Sequence, residues 1–278
     1  MQDFKGKTAV ITGAGSGIGR GMAIAFARAG MRIVVSDIER AAAEAVAREI
    51  AAEGGKSVAA VTDVSRLEDV KALAATAGQA FGPVHVLCNN AGVMVQRRGT
   101  DATHQDWQWV VGVNLWGVIR GMEAFLPGMR AHGQEAHIVN TASMNGIFPS
   151  AYSAMYSTTK YGVMGLSETF ANELKGSNVS ISILCPGAVA SRIHEAERNR
   201  PKELIASPAG APHERSSIYD ISPPLDPLLA GDQVLNGMRH KQLHIFTDMK
   251  VAPYVQARHD RMMSEFEVLA DWEKKRSV

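Results

Sequence analysis

The stretch Thr8–Gly19, TAVITGAGSGIG, decides the fold. Its first five residues are apolar and mostly β-branched, as in a buried strand. The glycines that follow permit a tight turn, and the alanine-rich residues 18–29 then predict a helix. A strand, a glycine-rich turn and a helix in this order open a βαβ unit, in which the N–H groups at the helix start face a ligand phosphate. An ordinary tight turn also uses glycines, so it is the position of this cluster that favours a dinucleotide site.

The same alternation of strand and helix continues along the chain. Apolar runs predict further strands at 32–36, 57–61, 84–89, 136–140, 179–184 and 243–247. Helical patterns lie between them at 39–53, 67–80, 104–131 and 152–175. This order predicts a single α/β domain over residues 1–278, a Rossmann-type doubly wound parallel sheet flanked by helices. Residues 191–225 are rich in proline and charge. We expect them to form a long excursion over the site that is long enough to act as a lid over the substrate.

Composition excludes several classes of protein. Lysine and arginine total 29 against 28 acidic residues, so no basic field favours nucleic acid. No apolar run approaches the ~20 residues of a membrane span, and no signal-peptide pattern precedes the first strand. The two cysteines, Cys88 and Cys185, are expected to be free and buried, and no histidines accompany them at metal-ligand spacing. We therefore expect a soluble cytoplasmic protein with no metal site, no membrane contact and a small-molecule substrate.

Asp37 ends the second predicted strand, 20 residues after Gly17. A carboxylate at this place accepts hydrogen bonds from the adenosine ribose hydroxyls and repels a 2′-phosphate. Neither Ser16 nor Ile38 offers a positive charge to such a phosphate. The residue is equally suited to capping the helix that follows. The pattern favours NAD over NADP.

Tyr156 and Lys160 are four residues apart in a predicted helix and share one face. A free phenol has a pKa of ~10, which a nearby lysine cation would lower towards the range of a general base. An i,i+4 pair of this kind is often only a surface contact. Ser143 follows the fifth strand, where a switch-point ligand would lie, and its hydroxyl could bind a substrate oxygen or cap a turn.

Taken together, these motifs resemble the classical short-chain dehydrogenase/reductase family over residues 7–191. The glycine turn has the family's T-G-x-x-x-G-x-G spacing, with Ile18 in place of the last glycine of G-x-G-x-x-G. The other matching motifs, in chain order, are Asp63-Val64, Asn89-Asn90-Ala91-Gly92, Asn114-Leu115-Trp116-Gly117, Ser143, Tyr156-x-x-x-Lys160 and Pro186-Gly187.

The resemblance implies a role for each matching residue. Tyr156 is the acid/base, and Lys160 lowers its pKa and holds the cofactor ribose. Ser143 orients the substrate oxygen, and Asn114 anchors a water that relays protons through Lys160. The implied cofactor is NAD, held by Tyr156, Lys160 and residues Gly13, Ser16, Gly17, Ile18, Gly19, Asp37, Asp63, Val64, Asn90, Ala91, Gly92, Pro186, Gly187, Val189 and Ser191.

The substrate wall is expected from residues that follow the strands. The candidates are mostly apolar and favour a bulky, hydrophobic or aromatic secondary alcohol, although methionines also fill protein cores. They are Met94, Met144, Asn145, Tyr152, Ala188 and His194. The sequence after residue 243 resembles relatives that act on bulky aryl alcohols, and the helices from His104 and Tyr152 offer faces for a homodimer or homotetramer.

The chain departs from the family at two places, with Ser191 where threonine is common and His85 where aspartate is common. The serine keeps the hydroxyl, and the histidine is expected to pack rather than to catalyse. Two other functions remain open from the residues. One is a carbonyl reductase that works in the reverse direction at the same site, and the other is a non-catalytic NAD(H)-binding redox sensor, which would not need Ser143, Tyr156 and Lys160 together.

Overall fold

The structure is a computed structural model that describes residues 1–205 and 223–276. Of its seven strands, the five inner ones are largely buried, which is typical of a parallel sheet covered on both faces, whereas the two edge strands are partly exposed. They are β1 (Thr8–Thr12), β2 (Arg32–Asp37), β3 (Lys56–Val61), β4 (Val86–Asn89), β5 (Ala136–Thr141), β6 (Val179–Cys185) and β7 (His244–Phe246).

These strands form one parallel sheet in the order β3-β2-β1-β4-β5-β6-β7. The chain runs outward from β1 to β3 and then crosses back to β4 on the other side of β1. The loops after β1 and β4 therefore diverge, and a crevice opens at the carboxyl ends of these two strands. The predicted Rossmann-type fold is confirmed.

Eight α-helices flank the sheet in the part of the chain that the structure describes. One face of the sheet is covered by α1 and α7, which contribute Phe26, Val234 and Met238 to the core. The other face is covered by α3 and α5, which contribute Leu73 and Phe125. The helices are α1 (Gly17–Arg28), α2 (Arg40–Ala52), α3 (Leu67–Phe81), α4 (His104–Asn114), α5 (Trp116–Ala131), α6 (Ala154–Glu173), α7 (Pro227–Arg239) and α8 (Ala252–Arg276).

The helix predicted over 104–131 is two helices, because the chain bends at Leu115 between α4 and α5. The helix predicted from 152 begins instead at Ala154. Tyr152 has a φ of 61°, a left-handed conformation that cannot continue into a right-handed helix. The sequence analysis did not predict α7.

The excursion predicted at 191–225 is described only in part, since residues 206–222 lie outside the described residues. Its first part forms two short 3-10 helices, Ile193–Asn199 and Lys202–Leu204. Its end returns to the segment after β6, where Val189 and Leu225 form an isolated parallel bridge outside the seven strands. No helix among the described residues has the length and apolar character needed to span a membrane.

Candidate active site

The glycine turn brings main chain close to neighbouring main chain at the carboxyl end of β1. Gly13 has a φ of 64°, and a Cβ there would lie 2.8 Å from the Cα of Ala91. Gly17 has a φ of 51°, and its Cβ would lie 2.7 Å from the Cβ of Ser191. Both positions combine a left-handed backbone with a close contact, so they require glycine.

The start of α1 is electrostatically prepared for an anion. Its first turn holds no acidic residue, and the side chain of Ser16 makes no capping hydrogen bond to it. The first N–H groups of a helix lack intrahelical acceptors and lie at the positive end of its dipole. A phosphate at this place would accept hydrogen bonds from those N–H groups.

The carboxylate of Asp37 lies beside the glycine turn. Its Oδ2 accepts a hydrogen bond from the Gly15 N–H at 2.8 Å, and its Oδ1 accepts one from the Glu39 N–H at 3.0 Å. Glu39, and not Asp37, precedes the first turn of α2. Each carboxylate oxygen has a second acceptor position, so Asp37 retains the capacity to bind a ribose hydroxyl.

The loop after β4 is tied to β1 by Thr12. Its hydroxyl accepts hydrogen bonds from the N–H groups of Asn90 and Ala91 at 3.0 and 3.1 Å. The Asn90 side chain donates back to the carbonyl oxygen of Thr12 at 3.0 Å. These bonds hold residues 90–92 as a wall of the crevice.

Lys160 is buried next to Tyr156. Its Nζ lies 5.4 Å from the centroid of the Tyr156 ring and donates a hydrogen bond to the carbonyl oxygen of Thr141 at 2.8 Å. Burial lowers the pKa of Lys160 to about 8, against a small opposing effect of Cys185. The two residues face each other across one turn of α6 in a water-poor setting, where charges interact strongly. They do not form the solvent-exposed pair that the spacing alone left open.

Ser143 follows β5 and opens a short 3-10 helix, Met144–Gly146. Its Oγ accepts the N–H of Asn145 at 3.1 Å, so the residue is a turn cap, as the sequence allowed. The hydroxyl proton is not used in this bond and remains available to a ligand oxygen. The observed turn cap is therefore compatible with the predicted contact to a substrate oxygen.

Asn114 is fully buried at the end of α4. Its carboxamide accepts the N–H of Val93 at 2.8 Å and donates to the carbonyl oxygen of the same residue at 2.9 Å. A second donor contact reaches the hydroxyl of Thr159 at 3.3 Å. The side chain thus fixes the loop after β4 against α6, the helix that carries Tyr156.

A cavity of about 520 Å³ occupies the crevice. It falls in the range of small-molecule and cofactor sites. Most of the predicted site residues line it: Gly13, Ser16, Gly17, Ile18, Asp37, Asp63, Val64, Asn90, Ala91, Gly92, Met94, Ser143, Tyr156, Lys160, Pro186, Gly187, Ala188, Val189, Ser191 and His194.

Five predicted residues lie outside this described lining. Besides Asn114, Gly19 lies under the turn, where a Cβ would be 2.1 Å from the carbonyl oxygen of Gly13. Met144 is buried in a cluster with Phe148 and Val163. The last two, Asn145 and Tyr152, contact Ser150 and the guanidinium of Arg98 respectively.

The sequence analysis missed several residues that line the cavity. Trp109 and Val113 come from α4, and Arg198 and Asn199 come from the excursion. Arg198 and Asn199 both bond Glu39, which is 159 and 160 residues away in sequence. No local spacing signals such a pair. The structure also places Arg192 and Arg198 near the Asp37 end, although the sequence offered no positive charge beside that residue.

The comparisons with known proteins agree with this geometry. The family described as short chain dehydrogenase matches residues 7–202, which is more than half of the chain. The chain belongs to the short-chain dehydrogenase/reductase family. It is therefore an oxidoreductase of that family, as the glycine turn and the Tyr156–Lys160 pair suggested.

Individual relatives resemble this short-chain dehydrogenase/reductase over most of its length. A protein named C alpha-dehydrogenase from Sphingobium sp. (strain NBRC 103272 / SYK-6) is 33% identical over 277 residues, which cover 98% of this chain and 88% of the relative. A cyclohexanol dehydrogenase from Acinetobacter sp. (strain SE19) is 38% identical over 187 residues, which cover 67% of this chain and 74% of the relative.

The same holds for solved structures. A short-chain dehydrogenase/reductase from Burkholderia phymatum in complex with NAD superposes with a TM-score of 0.89 at 35% identity, and the match covers 95% of this chain and 97% of that one.

Proposed function

We propose that the protein is an NAD-dependent oxidoreductase that interconverts a bulky secondary alcohol and its ketone. The observation that carries this proposal is the buried Lys160 ammonium, 5.4 Å from the Tyr156 ring, in the cavity that Ser143 also lines. A phenol beside a buried cation and a hydroxyl donor are the groups needed to move a proton at an alcohol oxygen.

The residues present fit a dinucleotide. The turn at Gly13 and Gly17 is a cradle that side chains would fill, and the start of α1 suits a pyrophosphate. Asp37 would bind the adenosine ribose, and Asn90, Gly92 and Ser191 would border the rest of the molecule. Bound NAD⁺ would supply the hydride acceptor. The relative from Burkholderia phymatum, solved in complex with NAD, supports this choice of cofactor.

In the oxidation direction, Tyr156 takes the proton of the substrate hydroxyl as the carbon–hydrogen bond breaks and the C=O bond forms. Lys160 favours the phenolate form of Tyr156 because its positive charge is held in a site of low dielectric. Ser143 donates a hydrogen bond to the substrate oxygen, keeps its own proton, and so fixes the orientation of the carbinol carbon. Reduction of a ketone uses the same groups in reverse, so the carbonyl reductase alternative differs only in direction.

Asn114 contributes to this proposal by holding Val93 at the cavity wall. The water relay through Lys160 that the resemblance implies remains part of the proposal. Lys160 has three N–H donors, of which one binds Thr141, so the others are directed to different partners such as a ribose hydroxyl or a water.

The substrate class is inferred from the apolar part of the cavity lining. Five apolar residues of this lining carry the inference: Val93, Met94, Trp109, Val113 and Ile193. Such a wall favours a hydrophobic or aromatic group over a sugar, because burial of polar hydroxyls without partners is costly. The relative named cyclohexanol dehydrogenase supports a secondary alcohol as the reacting group.

The test is NADH formation by the purified protein with NAD⁺ and secondary alcohols that range from small aliphatic to bulky aryl. The variants are Tyr156→Phe and, as a matched control, Tyr254→Phe, a half-exposed tyrosine on α8. We expect turnover that rises with the size of the apolar group and is lost only in Tyr156→Phe. Tight NADH binding without turnover of any alcohol or ketone would favour the redox sensor instead.

A further inference from the structure

Three consecutive residues, Arg198, Asn199 and Arg200, lie beside the cavity, and the first two line it. The first two bond Glu39, which follows β2, and the third bonds Asp106 in the first turn of α4, which follows β4. Strands β2 and β4 lie on opposite sides of β1. The three residues, which we name the bridge, therefore connect the two sides of the crevice.

The Glu39 end of the bridge lies beside the Asp37 half of the cavity. Both the Nε and Nη2 atoms of Arg198 lie 2.8 Å from Glu39 Oε1, and Asn199 Nδ2 lies 2.9 Å from it. The hydrogen bond from Asn199 is the largest effect that lowers the pKa of Glu39. The side chains of Arg198 and Glu39 are partly exposed, at 27% and 29%. Ion pairs of this kind contribute little to stability and exchange readily with water.

The Asp106 end is buried. The side chain of Asp106 is 0% exposed and that of Arg200 is 4% exposed, and Arg200 Nη2 lies 2.6 Å from Asp106 Oδ1. The other carboxylate oxygen accepts bonds from Arg97 at 2.8 Å and from the N–H and hydroxyl of Thr103 at 2.9 and 2.8 Å. Both oxygens of this buried carboxylate are thus paired, and loss of Arg200 would leave Oδ1 without this hydrogen bond while Arg97 still pairs the charge.

Arg200 also connects this ion pair to the apolar wall. Its guanidinium lies 5.1 Å over the ring of Trp109, which lines the cavity. Ala196, four residues before Arg200, packs in one cluster with Trp109, Val93 and Met155. Ile193, His194 and Ala196 themselves line the cavity. The position of this wall therefore depends on Arg200.

Neither Asp106 nor Arg200 belongs to the cavity lining that the described residues form. They cannot contact a ligand there without rearrangement, and their influence must pass through the segment that they hold. We propose that Asp106 and Arg200 are positioning residues, which set the wall against which the apolar group of the substrate binds. This inference rests on the proposed function and adds to it the residues that control substrate binding at a distance.

The main variant is Arg200→Met, which keeps the length of the side chain and removes its charge. Arg200→Lys keeps the charge and loses the planar fork, so it should rescue part of the effect. The matched control is Arg120→Met, because Arg120 likewise stacks on a tryptophan, Trp116, but away from the cavity. Thermal unfolding of each variant identifies any that fail to fold.

We expect Arg200→Met to raise the KM of the preferred alcohol about tenfold with a smaller change in kcat, while NADH binding measured by fluorescence stays within twofold of the wild type. Arg200→Lys should be intermediate and Arg120→Met unchanged. A KM unaffected by Arg200→Met would overturn the proposal. So would a rise in KM matched by an equal loss of NADH affinity, since the two together would indicate general loosening of the fold.

Amide hydrogen exchange separates this proposal from the proposed function. In Arg200→Met with NADH bound, residues 193–199 should exchange at least tenfold faster, while exchange at 90–93 stays as in the wild type. If the wild type turns over no alcohol or ketone, the proposed function fails. Amide exchange alone then tests whether Arg200 positions residues 193–199. Unchanged exchange at 193–199 would then show that Arg200 does not hold the wall.

Discussion

Gly21 of α1 and Gly231 of α7 meet where these helices cross, and a Cβ on Gly231 would lie 2.5 Å from the carbonyl oxygen of Gly21. In the other direction, a Cβ on Gly21 would lie 1.9 Å from the carbonyl oxygen of Pro227. Both contacts are with main chain, which cannot move aside as a flexible side chain can. The two helices therefore approach closely because neither carries a side chain at this point.

We expect Gly21→Ala to lower the free energy of unfolding by about 3 kcal/mol, because the added methyl group forces the helices apart. Gly128→Ala is the matched control, since Gly128 lies in α5 with no atom within 4 Å of an added Cβ. That substitution should stabilise the protein by about 0.5–1 kcal/mol through its effect on backbone entropy. Urea unfolding measures both. Equal effects of the two substitutions would refute the close crossing.

The second prediction concerns the cost of burying the Lys160 charge. A lowering of its pKa from 10.5 to about 8 costs roughly 3 kcal/mol at neutral pH. Lys160→Met removes this cost and also the hydrogen bond to Thr141, worth about 1 kcal/mol. We expect the variant to be about 2 kcal/mol more stable than the wild type at pH 7 and to lack activity.

The pH dependence of this difference is also predicted. Between pH 8 and 10.5 the unfolded chain holds a proton on Lys160 that the folded protein has released, so the wild type gains stability as the pH rises. The advantage of Lys160→Met should therefore shrink over that interval. Lys175→Met, at an exposed position just after α6, should show no such trend. A variant less stable than the wild type at pH 7 would contradict the prediction.

The third prediction concerns His137, a buried histidine of β5 that the proposed reaction does not use. Burial lowers its pKa to about 3, and its ring Nε2 lies 2.8 Å from the hydroxyl of Ser182. Below pH 6.5 this histidine is protonated in the unfolded chain but not in the folded protein. The free energy of unfolding therefore decreases as the pH is lowered. At pH 4.5 the loss amounts to about 3 kcal/mol relative to pH 7.5.

His137→Gln should flatten this acid dependence by about that amount, although the variant is expected to be less stable at pH 7.5. His240→Gln is the control, because His240 is exposed at the end of α7. Urea unfolding at several pH values between 4.5 and 7.5 gives the comparison. The idea fails if wild type and His137→Gln lose stability in parallel.

The fourth prediction concerns Glu39, which binds Arg198 and lies within 3.7 Å of Arg192. Removal of its charge in Glu39→Gln would release two guanidinium groups at the end of the cavity where Asp37 lies. Arginines bind phosphate well, so we expect the ratio of NADPH to NADH affinity to rise about tenfold. Fluorescence titration measures both affinities without a substrate. Glu44→Gln, on the exposed side of α2, is the control, and an unchanged ratio in Glu39→Gln would reject this role.

Features that depend on short stretches of sequence could be predicted. The glycine turn, Asp37 at the end of β2 and the pair Tyr156–Lys160 each follow from residues fewer than about 30 positions apart. Their local spacing determines which element carries them and which face they share. The order of strands and helices then places them at one edge of the sheet.

Features that depend on residues far apart in the sequence could not be predicted. Asp106 and Arg200 are 94 residues apart, and nothing near either one identifies the other. Helix α7 escaped prediction because it contains Gly231 and Gly237, which weaken a helix in isolation. Both glycines are required by packing in the folded protein. Gly231 lets α1 approach closely, and a Cβ on Gly237 would lie 2.4 Å from the side chain of Ile245.

The bridge from Glu39 to Asp106 has a consequence for how this protein could acquire new substrates. Arg200 anchors the segment at buried Asp106, and residues 193 and 194 of the same segment line the cavity. Substitutions there would reshape the pocket while leaving the proton-transfer residues and the dinucleotide half untouched. On the proposed function, selectivity would then change without any change in the groups that move the proton, and a library confined to Ile193 and His194 is a small one with which to redirect this protein in the laboratory.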